Sequence, residues 1–221
     1  MPEKLNSTSF FNQYRFWIIF LSAALVVEIP IISLPLKWFE SYFHEISHGI
    51  AALLTGGSII NIQLFPNGAG LCTTRGGSRL LISFFGYAGA VFWGVAIYYV
   101  AAMHQRIAQL FSALILILLL TTLIFWIRDL LSFSIMSVLL MIIVLKFKLE
   151  NLQYFQMLLQ LIGCSVLLNS LKSPWYLIDG RSLGDGASLA QLTGMPEILW
   201  VCLWFMLGVI GVLKLAQVKR R

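Results

Sequence analysis

Long runs of apolar residues constrain this chain more than any other feature of its sequence. They extend over about residues 16–36, 38–54, 79–103, 107–127, 130–145, 153–171 and 198–213. A helix needs about 20 apolar residues to cross the hydrocarbon core of a bilayer. Apolar residues make up 59% of the chain and charged residues 11%, too few charges to cover a soluble core. The sequence therefore predicts an all-α polytopic membrane protein with six or seven transmembrane helices.

The organisation of these runs predicts a single transmembrane domain over residues 1–221. No repeat or domain boundary is visible, and the chain opens with a polar segment at 1–15. The first run is longer than the apolar part of a signal peptide and is interpreted as a retained anchor. Glu28 and Pro30 interrupt it, which predicts a kink near Pro30. A polar loop is predicted at 172–197.

The stretch 58–77 is the least helical part of the chain. The helix before it is expected to stop at Thr55, Gly56 and Gly57. Residues 58–65 alternate in polarity over part of their length, 66–70 read Pro-Asn-Gly-Ala-Gly, and 71–74 can form a return strand. This pattern predicts a short membrane-associated β-hairpin.

The charge and the cysteines narrow the choice of partners. The net charge is +6, but the basic residues stand singly between apolar runs or at the ends. This distribution indicates contact with lipid headgroups of the bilayer and argues against nucleic acid. The widely spaced Cys72, Cys164 and Cys202 give no indication of a disulfide. Membrane orientation and oligomeric state stay open.

Two of the three histidines, His44 and His48, stand four residues apart, with Glu45 next to the first. Positions i and i+4 share one face of a helix, so both imidazoles can bind the same metal ion. Glu45 can then act as general base on a water that the metal activates. Polar residues are costly in an apolar helix. This cost favours a functional role for the two histidines over a purely structural, hydrogen-bonded pair. The spacing predicts a catalytic zinc site.

A catalytic zinc normally takes a third protein ligand, and the residues alone leave its identity open. His104 and Asp129 follow apolar runs, where a solvated histidine and a surface pair of Asp129 with Arg128 are simpler interpretations. Asp179 and Asp185 share the polar loop. Asp185 stands where a short helix at 187–192 would begin, so it can also be an N-cap. Glu28 can be protonated, paired or directed at the site.

The segment from His44 to Gly57, HEISHGIAALLTGG, resembles the zinc-binding helix of the site-2 protease family of intramembrane metalloproteases, particularly its small bacterial branch. Three further segments are similar to that branch in the same order. They are the glycine-rich turn 66–70 with Thr74-Arg-Gly-Gly77, then Gly86-Tyr-Ala-Gly89, then 185–196, DGASLAQLTGMP. The zinc helix is the specific motif, and the glycine motifs are weaker.

The resemblance implies a zinc endopeptidase that cleaves membrane-anchored proteins in the bacterial inner membrane. Its zinc ligands would be His44, His48 and Asp185, and its general base Glu45. Asp179 is the alternative third ligand, because Leu177 to Arg181 also resembles the Asp-Gly segment of larger members. An exposed edge of the hairpin could hold a substrate by strand addition, with Asn67, Gly68 and Gly70 as candidate contacts.

Two other functions fit the sequence less well. A catalytically silent, zinc-containing scaffold or substrate-binding protein would keep the metal site, but Glu45 between the histidines favours catalysis. A transporter often carries two related halves, and this sequence has no such repeat.

Overall fold

The computed structural model describes residues 7–147 and 152–218, so the first six residues of the predicted polar segment 1–15 lie outside the described part. The chain is mostly helical with one small sheet. In order, the elements are α1 (Ser7–Val26), α2 (Pro30–Leu54), β1 (Ser58–Leu64), β2 (Gly70–Arg75), α3 (Arg79–Ala102), α4 (Gln105–Phe125), α5 (Leu130–Phe147), α6 (Leu152–Lys172), a 3-10 helix (Ser173–Leu177), α7 (Asp185–Thr193) and α8 (Glu197–Ala216).

Four helical segments are long and apolar enough to cross a membrane by themselves: Arg79–Ala102, Gln105–Phe125, Gln153–Leu177 and Glu197–Ala216. α1 and α2 pass the same test only as a pair, and they are bent by 111° at the break between them. The described part of the chain therefore gives four spans, or five with the bent pair. The predicted count of six or seven is not confirmed, because it treated 16–36, 38–54 and the shorter run at 130–145 as separate spans.

The break between the first two helices differs from the predicted boundary near residue 37. α1 ends at Val26, and the Glu28 and Ile29 amides donate to the carbonyls of Leu25 and Val26 in a turn. Pro30 then starts α2, where its missing N–H removes a donor that a first turn leaves unpaired anyway. The proline begins a second helix instead of kinking the first.

The hairpin forms as predicted, with β1 and β2 antiparallel and a register shift between Ile59 and Asn61. α2 ends at Leu54 before Gly56, which has a φ of +81°, a conformation that suits glycine. The outer edge of β1 is covered: the Ile62 amide donates to the Trp126 carbonyl at 2.9 Å, and the Leu64 amide to Ser132 Oγ at 2.9 Å. β2 is thus the strand whose outer edge is left without a strand neighbour.

α2 lies inside the molecule, against α3, α6 and both strands. Its Tyr42 and Phe43 are fully buried. α3 and α6 approach closely at Gly94 and Gly163, where an added Cβ would lie 2.8 Å from the Leu167 nitrogen and 2.7 Å from the Tyr98 nitrogen. The outer helices expose large apolar side chains, including Leu110 and Ile124 on α4 and Leu130 on α5. Such faces suit contact with lipid.

Candidate metal centre

His44, His48 and Asp185 converge at the centre of α2. His44 and His48 lie one turn apart, and their Nε2 atoms are 2.9 Å from each other. Asp185 Oδ2 lies 3.2 Å from His44 Nε2 and 3.3 Å from His48 Nε2. No other group of three or more potential ligand side chains was found in the described part of the chain.

This triangle of donor atoms fits a zinc ion. With zinc–ligand bonds of about 2.0–2.1 Å, two ligands of a tetrahedral site lie about 3.3–3.4 Å apart. The three observed separations, 2.9, 3.2 and 3.3 Å, are close to that spacing. Two neutral imidazoles and one carboxylate also form a common catalytic zinc donor set, with the fourth position left for water or substrate.

His48 is oriented by a backbone partner. Its Nδ1 lies 2.7 Å from the Ile82 carbonyl oxygen on α3. Because a carbonyl can only accept, Nδ1 must carry the proton and donate, which leaves the Nε2 lone pair free for a metal. A hydrogen bond of this kind at the far nitrogen is the usual support of a metal-binding histidine.

Asp185 reaches the histidines from the first residue of α7. The N-cap position is Gly184, with a φ of +95°, so Asp185 is not the N-cap of α7. Its carboxylate instead contacts both histidines. Burial acts to raise the pKa of Asp185, but the adjacent His48 and His44 outweigh it and hold that pKa well below its usual range. That shift needs protonated histidines; a metal ion at the same three atoms would instead bind neutral imidazoles and the ionised carboxylate.

The alternative carboxylates are bound elsewhere. Asp179 accepts from the backbone amide of Arg181 at 2.8 Å and from its Nε at 2.6 Å. These contacts hold the pKa of Asp179 below its usual range. Glu28 forms an ion pair with Lys172, and the Glu28 side chain is 67% exposed. Neither belongs to the group formed by the histidines and Asp185.

The remaining candidates cap helices. His104 is the N-cap of α4, where its Nδ1 accepts from the Arg106 amide at 3.3 Å. Asp129 accepts from the Ser132 amide at 2.8 Å at the start of α5, and Arg128 donates to backbone carbonyls instead of pairing with it. The three cysteines are free.

Glu45 lies beside the ligand triangle and is only 5% exposed. Its carboxylate packs against the Cα of Gly70 at the start of β2: an added Cβ there would lie 2.6 Å from Glu45 Oε1. The backbone amide of Cys72, on the same strand, also interacts with this carboxylate. The hairpin therefore forms one wall around Glu45.

Gly86 on α3 forms the opposite wall, against both imidazoles. An added Cβ at this position would lie 2.4 Å from His48 Cε1, 2.5 Å from His48 Nε2 and 2.8 Å from His44 Cε1. In the sequence, Gly86 stood out only as part of the weak glycine motif Gly86-Tyr-Ala-Gly89. Its contact with the imidazoles could be found only from the way α3 packs on α2.

Gly86→Ala is expected to lower zinc affinity by at least about tenfold, because the methyl group must displace a ligand imidazole. Competition with a chromogenic chelator would measure the affinity. Gly94→Ala is the control, since an added Cβ there meets the α6 backbone and should lower thermal stability without weakening zinc binding. Unchanged zinc affinity in folded Gly86→Ala would contradict this prediction.

The predicted substrate contacts separate into two groups. Gly70 lies at Glu45, whereas Asn67 and Gly68 lie in the hairpin turn. The Ser41 hydroxyl donates to the Gly68 carbonyl, and Asn67 Oδ1 accepts from the Ala69 amide at 3.1 Å. Asn67, Gly68 and Ala69 line a polar cavity of about 400 Å³ with Glu28, Lys37, Glu40, Asn169, Lys172 and Ser173.

Glu40 is a buried carboxylate that none of the sequence motifs indicated. It lies one turn before His44 and is 7% exposed, and its Oε1 accepts from Ser173 Oγ at 2.9 Å. It also lines the polar cavity, so it connects that cavity with the side of α2 that carries His44. Its spacing of four residues from His44 was the available signal.

Comparison with known proteins gives one match. A family model described as Peptidase M50B-like matches residues 17–214, which is most of the chain. Neither the curated proteins nor the solved structures gave a match.

Proposed function

We propose a function on the premise that this chain belongs to the Peptidase M50B-like family, which is the site-2 protease family. That membership implies a metallopeptidase. Together with the four apolar helices long enough to cross a bilayer, it indicates an integral membrane protein that acts on protein substrates.

The specific proposal is an intramembrane zinc endopeptidase of the bacterial inner membrane, formed by one domain over residues 1–221. It cleaves membrane-anchored proteins within or near their transmembrane segments. The observation that carries the proposal is the triangle of His44 and His48 on α2 with Asp185 on α7, with edges of 2.9–3.3 Å, beside the buried Glu45 of α2. In this proposal those three residues hold one zinc per chain.

The bound zinc would supply Lewis-acid chemistry, polarising the scissile carbonyl and acidifying the attacking water. Glu45 accepts a proton from that water as its oxygen attacks the carbonyl carbon. Glu45 then delivers the same proton to the leaving nitrogen when the carbon–nitrogen bond breaks. The products are a carboxylic acid and an amine, and Glu45 ends in its starting state. Burial of Glu45 between α2 and β2 keeps it fixed for both transfers.

The outer edge of β2 is the proposed substrate-binding edge. β1 is covered by Trp126 and Ser132, whereas Gly70 and Cys72 of β2 lie against Glu45. A substrate segment that adds to β2 would be extended, and its carbonyls would be free of helical hydrogen bonds.

Gly70→Ala is expected to lower cleavage by roughly tenfold or more while zinc content stays unchanged. The added methyl group would lie within 2.5–2.9 Å of three Glu45 side-chain atoms, so the base must move. Ile60→Ala is the matched control, because Ile60 is also nearly half exposed but lies on β1, away from the proposed substrate-binding edge. Equal loss of cleavage in both variants would indicate hairpin damage and contradict a specific contact with the base.

The experiment that tests the function compares cells expressing the wild type, Glu45→Gln or Asp179→Ala. New protein N-termini in the membrane fraction would be profiled by mass spectrometry. The proposal predicts N-termini within or near transmembrane segments that depend on the wild-type protein, persist in Asp179→Ala and disappear in Glu45→Gln. Identical profiles in all cells, with zinc bound to the wild-type protein, would favour the silent scaffold and overturn the proposal.

A further inference from the structure

Tyr87 on α3 lies directly against the metal centre without being one of its ligands. Its ring packs edge to face on His44, with the ring centres 4.4 Å apart. On its other side the ring contacts Trp204 of α8, with the centres 4.7 Å apart. Tyr87 is 8% exposed, so these contacts hold the phenol in a fixed orientation beside the site.

The hydroxyl of Tyr87 has no hydrogen-bond partner among the described residues. It differs in this from the fully buried Tyr42, whose hydroxyl bonds to Thr122 Oγ1 at 3.0 Å. The Tyr87 oxygen is also not one of the fully buried polar atoms without a partner, so it is open to contact by a substrate. The ring centre of Tyr87 is 4.4 Å from that of His44, so the phenol lies beside the groups that would surround a scissile peptide.

We propose that the Tyr87 hydroxyl is a catalytic hydrogen-bond donor to the carbonyl oxygen of the scissile peptide as that oxygen gains negative charge. This inference rests on the proposed function. Tyr87 keeps its own proton throughout. Water adds to the carbonyl carbon, the carbon–nitrogen bond breaks, and Glu45 alone carries the proton from water to the leaving nitrogen. A fixed donor at a developing oxyanion accelerates acyl transfer because it needs no reorganisation during the reaction.

A purely structural role for Tyr87 would depend on its ring and not on its hydroxyl. The ring contacts with His44 and Trp204 are available to phenylalanine as well. Tyr87→Phe therefore removes the donor and keeps the packing. Tyr98→Phe is the matched control, since Tyr98 is a second buried tyrosine of α3 that packs instead on Phe16 of α1.

The test uses the full zinc-loaded chain in detergent and two dipeptide probes. N-phosphoryl-Leu-Trp carries a tetrahedral anion that mimics the oxyanion, and the matched probe carries a planar carboxylate in its place. Calorimetry would measure both affinities, and mass spectrometry the zinc content. We expect Tyr87→Phe to weaken binding of the phosphoryl probe by about 10- to 100-fold. The affinity for the carboxylate probe should change less, and the zinc content should not change. Tyr98→Phe should match the wild type.

Four outcomes would contradict the inference. If the wild type holds zinc and Tyr87→Phe binds the phosphoryl probe as tightly, Tyr87 is not an oxyanion donor, and the proposed function is untouched. Equal weakening of both probes, or loss of zinc, would assign Tyr87 a structural role. If the wild type itself holds no zinc, the proposed function fails and this inference fails with it.

Discussion

Glu45→Gln is expected to lower peptide cleavage by about 10²–10⁴-fold, the usual contribution of a general base. Glutamine has almost the same shape as glutamate but cannot accept the proton of the attacking water. Zinc binding should be retained, because Glu45 is not one of the three converging ligands. Cleavage rates would be measured on a membrane-anchored substrate identified by N-terminal profiling, with the enzyme purified and zinc-loaded.

The control for this substitution is Glu28→Gln. Glu28 is another carboxylate flanked by apolar sequence, but its partner is Lys172 at an exposed position. Cleavage by Glu28→Gln should stay close to that of the wild type. Retention of most activity in Glu45→Gln would remove Glu45 from the reaction and require a different base.

Asp185→Ala is expected to weaken zinc binding by more than roughly 100-fold. Loss of a residue that only hydrogen-bonds to a zinc ligand already lowers metal affinity by about 10- to 100-fold. Asp185 Oδ2 is itself one of the three converging ligand atoms, so its loss should have a larger effect. The affinity would be measured by chelator competition on detergent-purified protein, with circular dichroism to verify the helical content.

Asp179→Ala is the control, because it shows whether any substitution in the polar loop weakens zinc binding. Asp179 lies six residues before Asp185 and is bound to Arg181, so its removal should leave zinc binding unchanged. The reverse result, zinc lost in Asp179→Ala and kept in Asp185→Ala, would show that the loop adopts another arrangement when zinc is bound.

The part of the site that sequence could predict is the part formed within one helix. His44 and His48 share a face of α2 because helical geometry fixes the direction of residues four apart. The hairpin was also predictable, since its turn carries the proline, asparagine and glycines that such turns require. Asp185, in contrast, comes from a distant segment. Local sequence patterns gave no reason to prefer Asp185 over Asp179 as the third ligand. The resemblance to the family favoured Asp185.

The elements that sequence did not predict depend on packing. Nothing in the pattern around Gly86 or Tyr87 indicated that α3 would press this pair against the imidazoles. The predicted count of six or seven spans is not confirmed. Hydropathy measures the length of an apolar run, but it does not give the 111° bend between α1 and α2, which decides whether these two helices form one span.

The most direct test of the central claim is the zinc-edge X-ray absorption spectrum of the purified wild-type protein, combined with its metal content. A catalytic zinc centre built from His44, His48 and Asp185 predicts about one zinc per chain, with two imidazoles and oxygen in its coordination shell and no sulfur. A protein that binds no zinc when folded and kept from chelators, or a shell that contains cysteine sulfur, would contradict it.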